Sequence, residues 1–548
     1  MGINLESDVK DEARSISDEE HGIAQQIDDA DPHSREDEIQ RVETTASRAS
    51  KTSKLSRIIP QLSRKEEVAP IIHPLTDLDR GVIGWESQDD PDMPMNFGAR
   101  RKWFCIACLS LITTISPLSS TILSPAINDV STTFHNTDSV LAAFPVSIFL
   151  LGYAVGPLLL SPLSEIYGRA LVLSSANAFF CVWHIGCALA PSLNSLIFFR
   201  FMCGVGGAGC MTLGPAVVGD VFQIVERGKG LAALTLGPLV GPTFGPLIGA
   251  FIVASLGWRW CIWIVFIPAT LVTVALIFVL PETCHKVLID RKVKRLQKEL
   301  GRNDLSNCYD TPGARAPRQS QLQYISIGLA RPLKMLVLAP IILLMSIYVA
   351  FMYGTMYLMY NQIPVTFEDQ YGFPTSLTGL VYLSQGFGFF VGLWSFSLVS
   401  DRLVIYLTER NNGVYKPEMR LNLIIYYAAI IPITFFVFGW TAYYHVHWIV
   451  PVLSFIPFGI GVIGVYLPTQ AYIIDAYPKY AASGLAAFIV LRSVIAAFLP
   501  LAGPALFASL GLGWGASLLG FICVAFIPIP VFVYVCGTYL RTRFPVNL

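Results

Sequence analysis

The stretch AAFPVSIFLLGYAVGPLLLSPLSEIYGR, residues 142–169, decides how this chain is read. No charge interrupts it before Glu165, and about 20 such residues are what a helix needs to cross the ~30 Å hydrocarbon core of a bilayer. Backbone polar groups cannot go unpaired in lipid, so a run of this kind is helical. Working outward, similar runs fall near 103–123, 139–160, 170–190, 195–219, 231–254, 260–280, 336–360, 377–400, 421–441, 447–470, 482–504 and 514–538. The chain is therefore expected to be an all-α polytopic membrane protein with twelve transmembrane helices. With 53% of its 548 residues hydrophobic and 14% charged, it is not an ordinary soluble domain. Its formal net charge is zero, so no nucleic-acid surface is implied.

The runs group as six, a break and six. Residues 1–95 read as a disordered cytosolic tail, too poor in apolar surface to fold alone. Residues 96–280 read as a first six-helix bundle, 281–335 as a basic cytosolic linker loop, 336–540 as a second six-helix bundle and 541–548 as a short tail. The start, MGINLESDVKDEARS, lacks the pattern of a signal peptide, and Glu6 stands where N-myristoylation needs Ser or Thr.

Loop charges test this topology, because Lys and Arg collect on the cytosolic side. Arg100, Arg101 and Lys102 precede the first run, Arg169 follows the second, and Arg227 and Lys229 follow the fourth. Arg402, Arg410, Lys416, Arg420, Lys479, Arg541 and Arg543 repeat the pattern, whereas loops 124–138 and 361–376 carry no Lys or Arg. Both termini are expected in the cytosol. The plasma membrane is the expected location, with the vacuolar membrane as the alternative.

Most of the eleven cysteines lie inside apolar runs, which argues against a disulfide framework. Cys105 and Cys108 spell CxxC in mid-helix without a second pair or a His, which reads as packing rather than metal or redox chemistry. No cofactor, metal or enzyme site is expected. The halves echo each other: Gly204, Asp220 and Gly230-Leu-Ala-Ala recur as Gly459, Asp475 and Gly484-Leu-Ala-Ala. A weaker echo links Ser161 to Glu165 with Ser397 to Asp401. Such same-orientation duplication marks two bundles related by an axis along the membrane normal, with a site between them.

At these residues the chain resembles the major facilitator superfamily, and within it the twelve-helix fungal drug:proton antiporters. The likeness covers about residues 90–540, including Asp90-Pro-Asp-Met-Pro-Met-Asn96 leading into Arg100-Arg-Lys-Trp103. Most specific is SPLSEIYGR (161–169), similar to a loop motif of Gly-x-Leu-Ala-Asp-x-x-Gly-Arg type with Ser161 and Glu165 replacing its first Gly and its Asp. A carboxylate and a guanidinium one turn apart at the membrane lip can pair with neighbouring helix ends and latch one conformation. The resemblance implies two pseudo-symmetric six-helix bundles, Glu165 facing the start of the eleventh helix, and Arg169 paired with Asp220. Asp401 and Asp475 belong to the same switch in the second half.

In the fifth run, GPLVGPTFGPLIG (237–249), Gly237, Gly241, Gly245 and Gly249 share one helical face, interleaved with Pro238, Pro242 and Pro246. Such glycines admit a neighbouring backbone, and each proline removes a donor and bends the helix. The run resembles the superfamily's antiporter motif, which implies export; packing without directional meaning is the other reading.

Arg200 lies well inside the fourth run, where an unpaired charge costs at least ~2.5 kcal/mol. The resemblance implies proton coupling for it, and hydrogen bonding to helix carbonyls is the structural alternative. Arg492 in the eleventh run is a second embedded base, either site or scaffold. No Asp or Glu occupies the centre of any run. A multiply cationic substrate would normally need one, so neutral, amphipathic or weakly acidic substrates are favoured. His184, alone on an apolar helix, reads as packing. Tyr353 and Tyr357, in the aromatic and Met-rich run 348–362, are assigned to a substrate cavity, with Gln385, Tyr466 and Arg492 as further candidates. Tyr360 is assigned to an interfacial aromatic belt.

Together these readings predict a monomeric, proton-coupled efflux antiporter that exports small hydrophobic or amphipathic compounds, such as drugs, toxins or secondary metabolites, by alternating access. Its partners are that small molecule, protons and the bilayer. Proton-driven import of a nutrient or siderophore is the alternative, and a non-transporting sensor is a third reading.

Overall fold

The computed structural model describes residues 74–302, 304–309, 321–412, 414–477 and 480–544. The tail before residue 74 lies outside the described residues. Six long helices form the first half: α1 (Ala99–Thr121), α2 (Ser139–Tyr167), α3 (Arg169–Ala188), α4 (Leu193–Val221), α5 (Ile224–Leu256) and α6 (Trp258–Val279). The linker holds α7 (His285–Leu300) and α8 (Gln321–Leu338). The second half contains α9 (Pro340–Tyr371), α10 (Thr375–Arg410), α11 (Asn422–Tyr443), α12 (Phe455–Ala476), α13 (Ala481–Phe498), α14 (Gly503–Phe526) and α15 (Pro528–Arg543).

Local chemistry sets several boundaries. Asp138 caps α2 by accepting from the Val140 and Leu141 amides, and Ser192 caps α4 through the Ser195 amide. Gly168 at φ 105° and Gly257 at φ 83° turn the chain between α2 and α3 and between α5 and α6, a backbone region costly to other residues.

Eleven helical runs among the described residues are long and apolar enough to cross a bilayer, the last a fused stretch Ser483–Arg543 of 61 residues. At ~1.5 Å per residue that stretch is roughly 90 Å long, far more than one crossing can use. Gly511, at φ 70° and ψ 169°, breaks it into two crossings, which brings the total to twelve. Side chains such as Leu271 (67% exposed) and Phe278 (85% exposed) form an apolar exterior suited to lipid tails rather than water.

Helix pairing repeats between the halves. α1 packs on α5 as α9 packs on α13, α2 on α4 as α10 on α12, and α3 on α6 as α11 on α14. The two bundles meet where α5 lies against α10 and α2 against α13. At the repeated crossings an added Cβ at Gly204 would stand 2.1 Å from the Phe149 carbonyl oxygen, and one at Gly459 would stand 2.4 Å from that of Gln385. Only glycine permits these backbone approaches.

Residues 74–96, expected to be part of a disordered tail, are instead folded. β1 (Val82–Ile83) pairs in parallel with β2 (Ser306–Asn307) of the linker. A small core of Ile83, Trp85, Met93, Ile289, Val293 and Leu305 forms between this N-terminal hook and α7. The tail reading failed because the hook has too little apolar surface alone and borrows the rest from the linker. The 281–335 segment is correspondingly not a plain loop. α7 is amphipathic, with Val287, Ile289 and Val293 buried and Lys294, Arg295 and Lys298 exposed. The seventh run also differs, extending as α9 to Tyr371 through a segment read as loop, and α10 continues past residue 400 to Arg410.

Candidate functional site

α1 stops at Thr121, where its last carbonyls lose their helical partners. Arg200, 1% exposed, meets them from α4. Its Nη2 donates to the carbonyls of Ser119 (2.8 Å) and Ser120 (3.2 Å), Nη1 to Ser119 Oγ (3.3 Å) and Nε to the Pro145 carbonyl of α2 (2.9 Å). The guanidinium also lies 4.6 Å from the centre of the Phe149 ring. A cation at a helix C-terminus is favoured by the helix dipole, and Arg200 thereby joins α1, α2 and α4. His184 extends the network: its Nδ1 is 2.8 Å from the Phe180 carbonyl, a position that requires a donor, so Nε2 accepts from Ser119 Oγ at 2.8 Å when the ring is neutral.

Across the bundle interface, Ser120 Oγ lies 3.0 Å from Tyr357 Oη. Ser124 Oγ donates to the Tyr360 carbonyl, which also accepts from Tyr382 Oη at 2.8 Å. Tyr360 is 1% exposed, so it sits in this seam and not in the interfacial belt expected for it. Gln385 is equally buried and is a polar neighbour of the Tyr360 hydroxyl. Deeper in the second half, Arg492 Nη1 donates to Tyr466 Oη (3.0 Å), and its guanidinium lies 4.4 Å from the Tyr353 ring centre and 5.4 Å from that of Tyr466. Gln470 Nε2 donates to the same Tyr466 oxygen at 2.8 Å.

At the basic end, Arg169 Nε stands 3.5 Å from Asp220 Oδ2, and Arg169 Nη1 donates to Ser164 Oγ. Glu282, which the sequence reading passed over, organises this corner: its Oε1 accepts from the backbone amides of Arg169 (2.8 Å), Thr283 (3.0 Å) and Cys284 (3.0 Å). Its sequence signal was a carboxylate directly after an apolar run, mirroring Asp220. The second half has its own clasp, in which Asp475 accepts from Arg420 Nε and from Tyr415 Oη (2.6 Å). Glu165 is exposed at the end of α2. The opening residues of α13 and the Asp401 side chain, named in the sequence reading, lie outside the side chains described.

At the opposite end Asn128 Nδ2 donates to Glu368 Oε2 (3.1 Å), joining the two bundles beside an open cleft of about 540 Å³ lined by Asn128, Thr132 and His135. The glycine face of α5 rests on α1. Cβ atoms added at Gly237 and Gly241 would stand 2.8 Å from backbone atoms of Thr113, Thr114 and Leu118. At Gly245 the nearest backbone atom would be the Leu118 carbonyl oxygen at 2.7 Å, and at Gly249 that of Ile122 at 2.2 Å. Among the described residues no group of three His, Cys, Asp or Glu side chains could hold a metal.

The sequence profile of the Major Facilitator Superfamily matches residues 109–500. The MFS-type transporter penM of Penicillium rubens is 41% identical over 464 residues, covering 85% of this chain and 90% of that protein. The efflux pump radE of Floropilus chiversii is 40% identical over 473 residues, covering 86% and 87%. In fold the chain is similar to a D-xylose–proton symporter, with a TM-score of 0.58 at 17% identity over 78% of this chain and 98% of the other. It is also similar to a bacterial homologue of the human lysosomal transporter Spinster, with a TM-score of 0.54 at 16% identity over 82% of this chain and all of that one.

Proposed function

This chain belongs to the Major Facilitator Superfamily, a family of membrane transporters and not of enzymes, and from that premise we propose that it is a proton-coupled exporter of small hydrophobic or amphipathic compounds. The observation that carries the direction is the α5 face of Gly237, Gly241, Gly245 and Gly249 seated on α1, since that run resembles the antiporter motif of exporters. Similarity to a protein described as an efflux pump supports it. In this reading the basic end faces the cytosol of a plasma-membrane protein, and substrate moves between the bundles past Tyr353, Tyr357, Gln385, Tyr466 and Arg492.

The switch is assigned to two places. Arg200 links α1, α2 and α4, so a change in its hydrogen bonds moves three helices together. The Arg169–Asp220 and Arg420–Asp475 pairs, with Glu165 and Asp401, clasp the cytosolic ends and are released when the bundles rock. Inside-out vesicles bearing the full chain should accumulate exported compounds when the lumen is acidified, and collapse of the pH gradient should stop it. In a pump-deficient host Arg200→Ala should remove the resistance that the chain confers without removing protein from the membrane. Accumulation indifferent to the gradient would overturn proton coupling, and full resistance in Arg200→Ala would overturn the role of that residue.

A further inference from the structure

The two buried arginines differ in what satisfies them. Arg200 makes four hydrogen bonds, three to backbone carbonyls and one to Ser119. Arg492 is nearly as buried, at 7% exposed, yet it meets tyrosine hydroxyls instead of carbonyls: Nη1 donates to Tyr466, and Tyr353 is its other hydrogen-bonding neighbour. A guanidinium carries five N–H donors in a flat fork, so the two tyrosine hydroxyls leave N–H groups of Arg492 over. Among the described residues no carboxylate pairs with it; its surroundings are the rings of Tyr353 and Tyr466, with Tyr357 next along α9. Tyrosine faces attract a cation but offer its N–H groups nothing to bond with in the plane of the fork. The remaining N–H groups are not sealed inside the protein, and a planar oxyanion fits such a fork with two parallel hydrogen bonds.

Arg492 is also placed to meet a substrate. α13 packs on α2 of the other bundle, and Tyr357 reaches across the same interface to Ser120. Tyr353 and Tyr466 are only half-buried, with ring centres 5.4 Å apart, and give a flat organic molecule two aromatic surfaces beside the charge.

We propose that Arg492 is the anchor for an acidic substrate: the transported class is an aromatic or otherwise flat apolar molecule bearing a carboxylate, enolate or comparable delocalised oxyanion, held by Arg492 between Tyr353 and Tyr466. The inference rests on the reading of this interface as the substrate path and assigns its chemistry. It also accounts for an embedded Arg492 without an embedded carboxylate, because the substrate brings the anion.

The test uses full-length protein in lipid nanodiscs and three tritiated probes with one ring system, 2-naphthoate, 2-naphthamide and 2-naphthylmethylamine, which at neutral pH are negative, neutral and positive. Wild type should bind the naphthoate roughly tenfold more tightly than the amide, the scale of one charge-assisted hydrogen-bonded pair, and the amine least. Arg492→Gln should erase that preference by bringing naphthoate binding down to the level of the amide. If Arg492→Gln does not fold, Arg492→Lys decides, since a point charge without the fork should weaken naphthoate several-fold and spare the amide. Equal binding of the three probes, a loss of all three alike in Arg492→Gln, or an Arg492→Lys variant indistinguishable from wild type would each overturn the assignment. Direction is read separately: anion-selective binding with no gradient-driven movement in inside-out vesicles sinks the exporter reading and leaves the anchor standing, whereas gradient-driven movement of the amide and amine but not the naphthoate does the reverse.

Discussion

Gly249→Ala should be the most damaging of the four alanine substitutions along the α5 glycine face, and the structure ranks them in advance. A new Cβ at Gly249 would stand 2.2 Å from the Ile122 carbonyl oxygen, about 1.2 Å short of the 3.4 Å at which ordinary contact begins. That neighbour is backbone and cannot rotate away, so α1 and α5 must separate. Overpacking of this kind costs ~1–3 kcal/mol, and a displacement above 1 Å belongs at the upper end. Replacing glycine by alanine inside a helix returns up to ~1 kcal/mol, leaving a net loss of ~2 kcal/mol. At Gly237 and Gly241 the shortfall is about half as large, from 2.8 Å, so clash and helix propensity should nearly cancel. Gly219, whose Cβ would meet nothing within 4 Å, supplies the control and should gain stability on substitution. Melting followed by size-exclusion chromatography of fluorescently tagged protein ranks the set, and gradient-driven accumulation in vesicles reads transport beside it. A Gly249→Ala protein that melts at or above wild type, or a Gly237→Ala protein that melts lower than Gly249→Ala, would refute the claim that this face is spaced by backbone contact with α1.

The seam between Asn128 and Glu368 should act as an outer closure: Glu368→Ala removes a partly exposed charge-assisted hydrogen bond worth ~1 kcal/mol, so labelling of a Ser124→Cys reporter by a membrane-impermeant maleimide should rise about fivefold, and unchanged labelling would dismiss the closure. The N-terminal hook should hold the linker in place. Trp85→Ala removes a side chain 2% exposed, with its indole N–H bonded to Tyr309 at 3.0 Å, and at ~3–5 kcal/mol for such a truncation it should open the small core it shares with α7. Tryptic cleavage within His285–Leu300 should then accelerate while the membrane helices melt as before, and a digestion pattern like wild type would show that α7 is held by other means.

The crossings were legible where a contact dictates residue type. Gly204 and Gly459 recur in sequence because each lies at an equivalent helix crossing where only a hydrogen fits between backbones, so the repeat of structure survives as a repeat of letters. The four glycines of α5 were legible for the same reason. The second clasp was not. The first half pairs Asp220 with the arginine of its own loop motif, whereas Asp475 takes Arg420, which lies just before α11 and outside any motif. Charge pairing constrains where two groups end up and leaves open which segment supplies them. The hook was illegible in a stronger sense: Ile83, Trp85 and Met93 are too few to form a core, and their partners Ile289, Val293 and Leu305 come some two hundred residues later.

The two arginines show where sequence reading of a charged site reaches its end. Each is a single base in an apolar run, and the run alone assigns both the same cost of burial. Their environments separate because of an event elsewhere: α1 ends at Thr121 and frees carbonyls that Arg200 can reach, while Arg492, six residues before the end of α13 at Phe498, meets tyrosine hydroxyls instead. A broken helix supplies acceptors and turns a charge into scaffold. Where no such carbonyl is bonded, the charge stays available to whatever anion enters between the bundles. The tyrosines of α9 and α12 reinforce this, because besides their hydroxyls they present ring faces to Arg492. Ending α13 a turn earlier, by Ile495→Pro, should therefore lower naphthoate binding by offering Arg492 backbone carbonyls of its own; the same variant with selectivity intact would show that proximity of a helix end does not decide the role of a buried arginine.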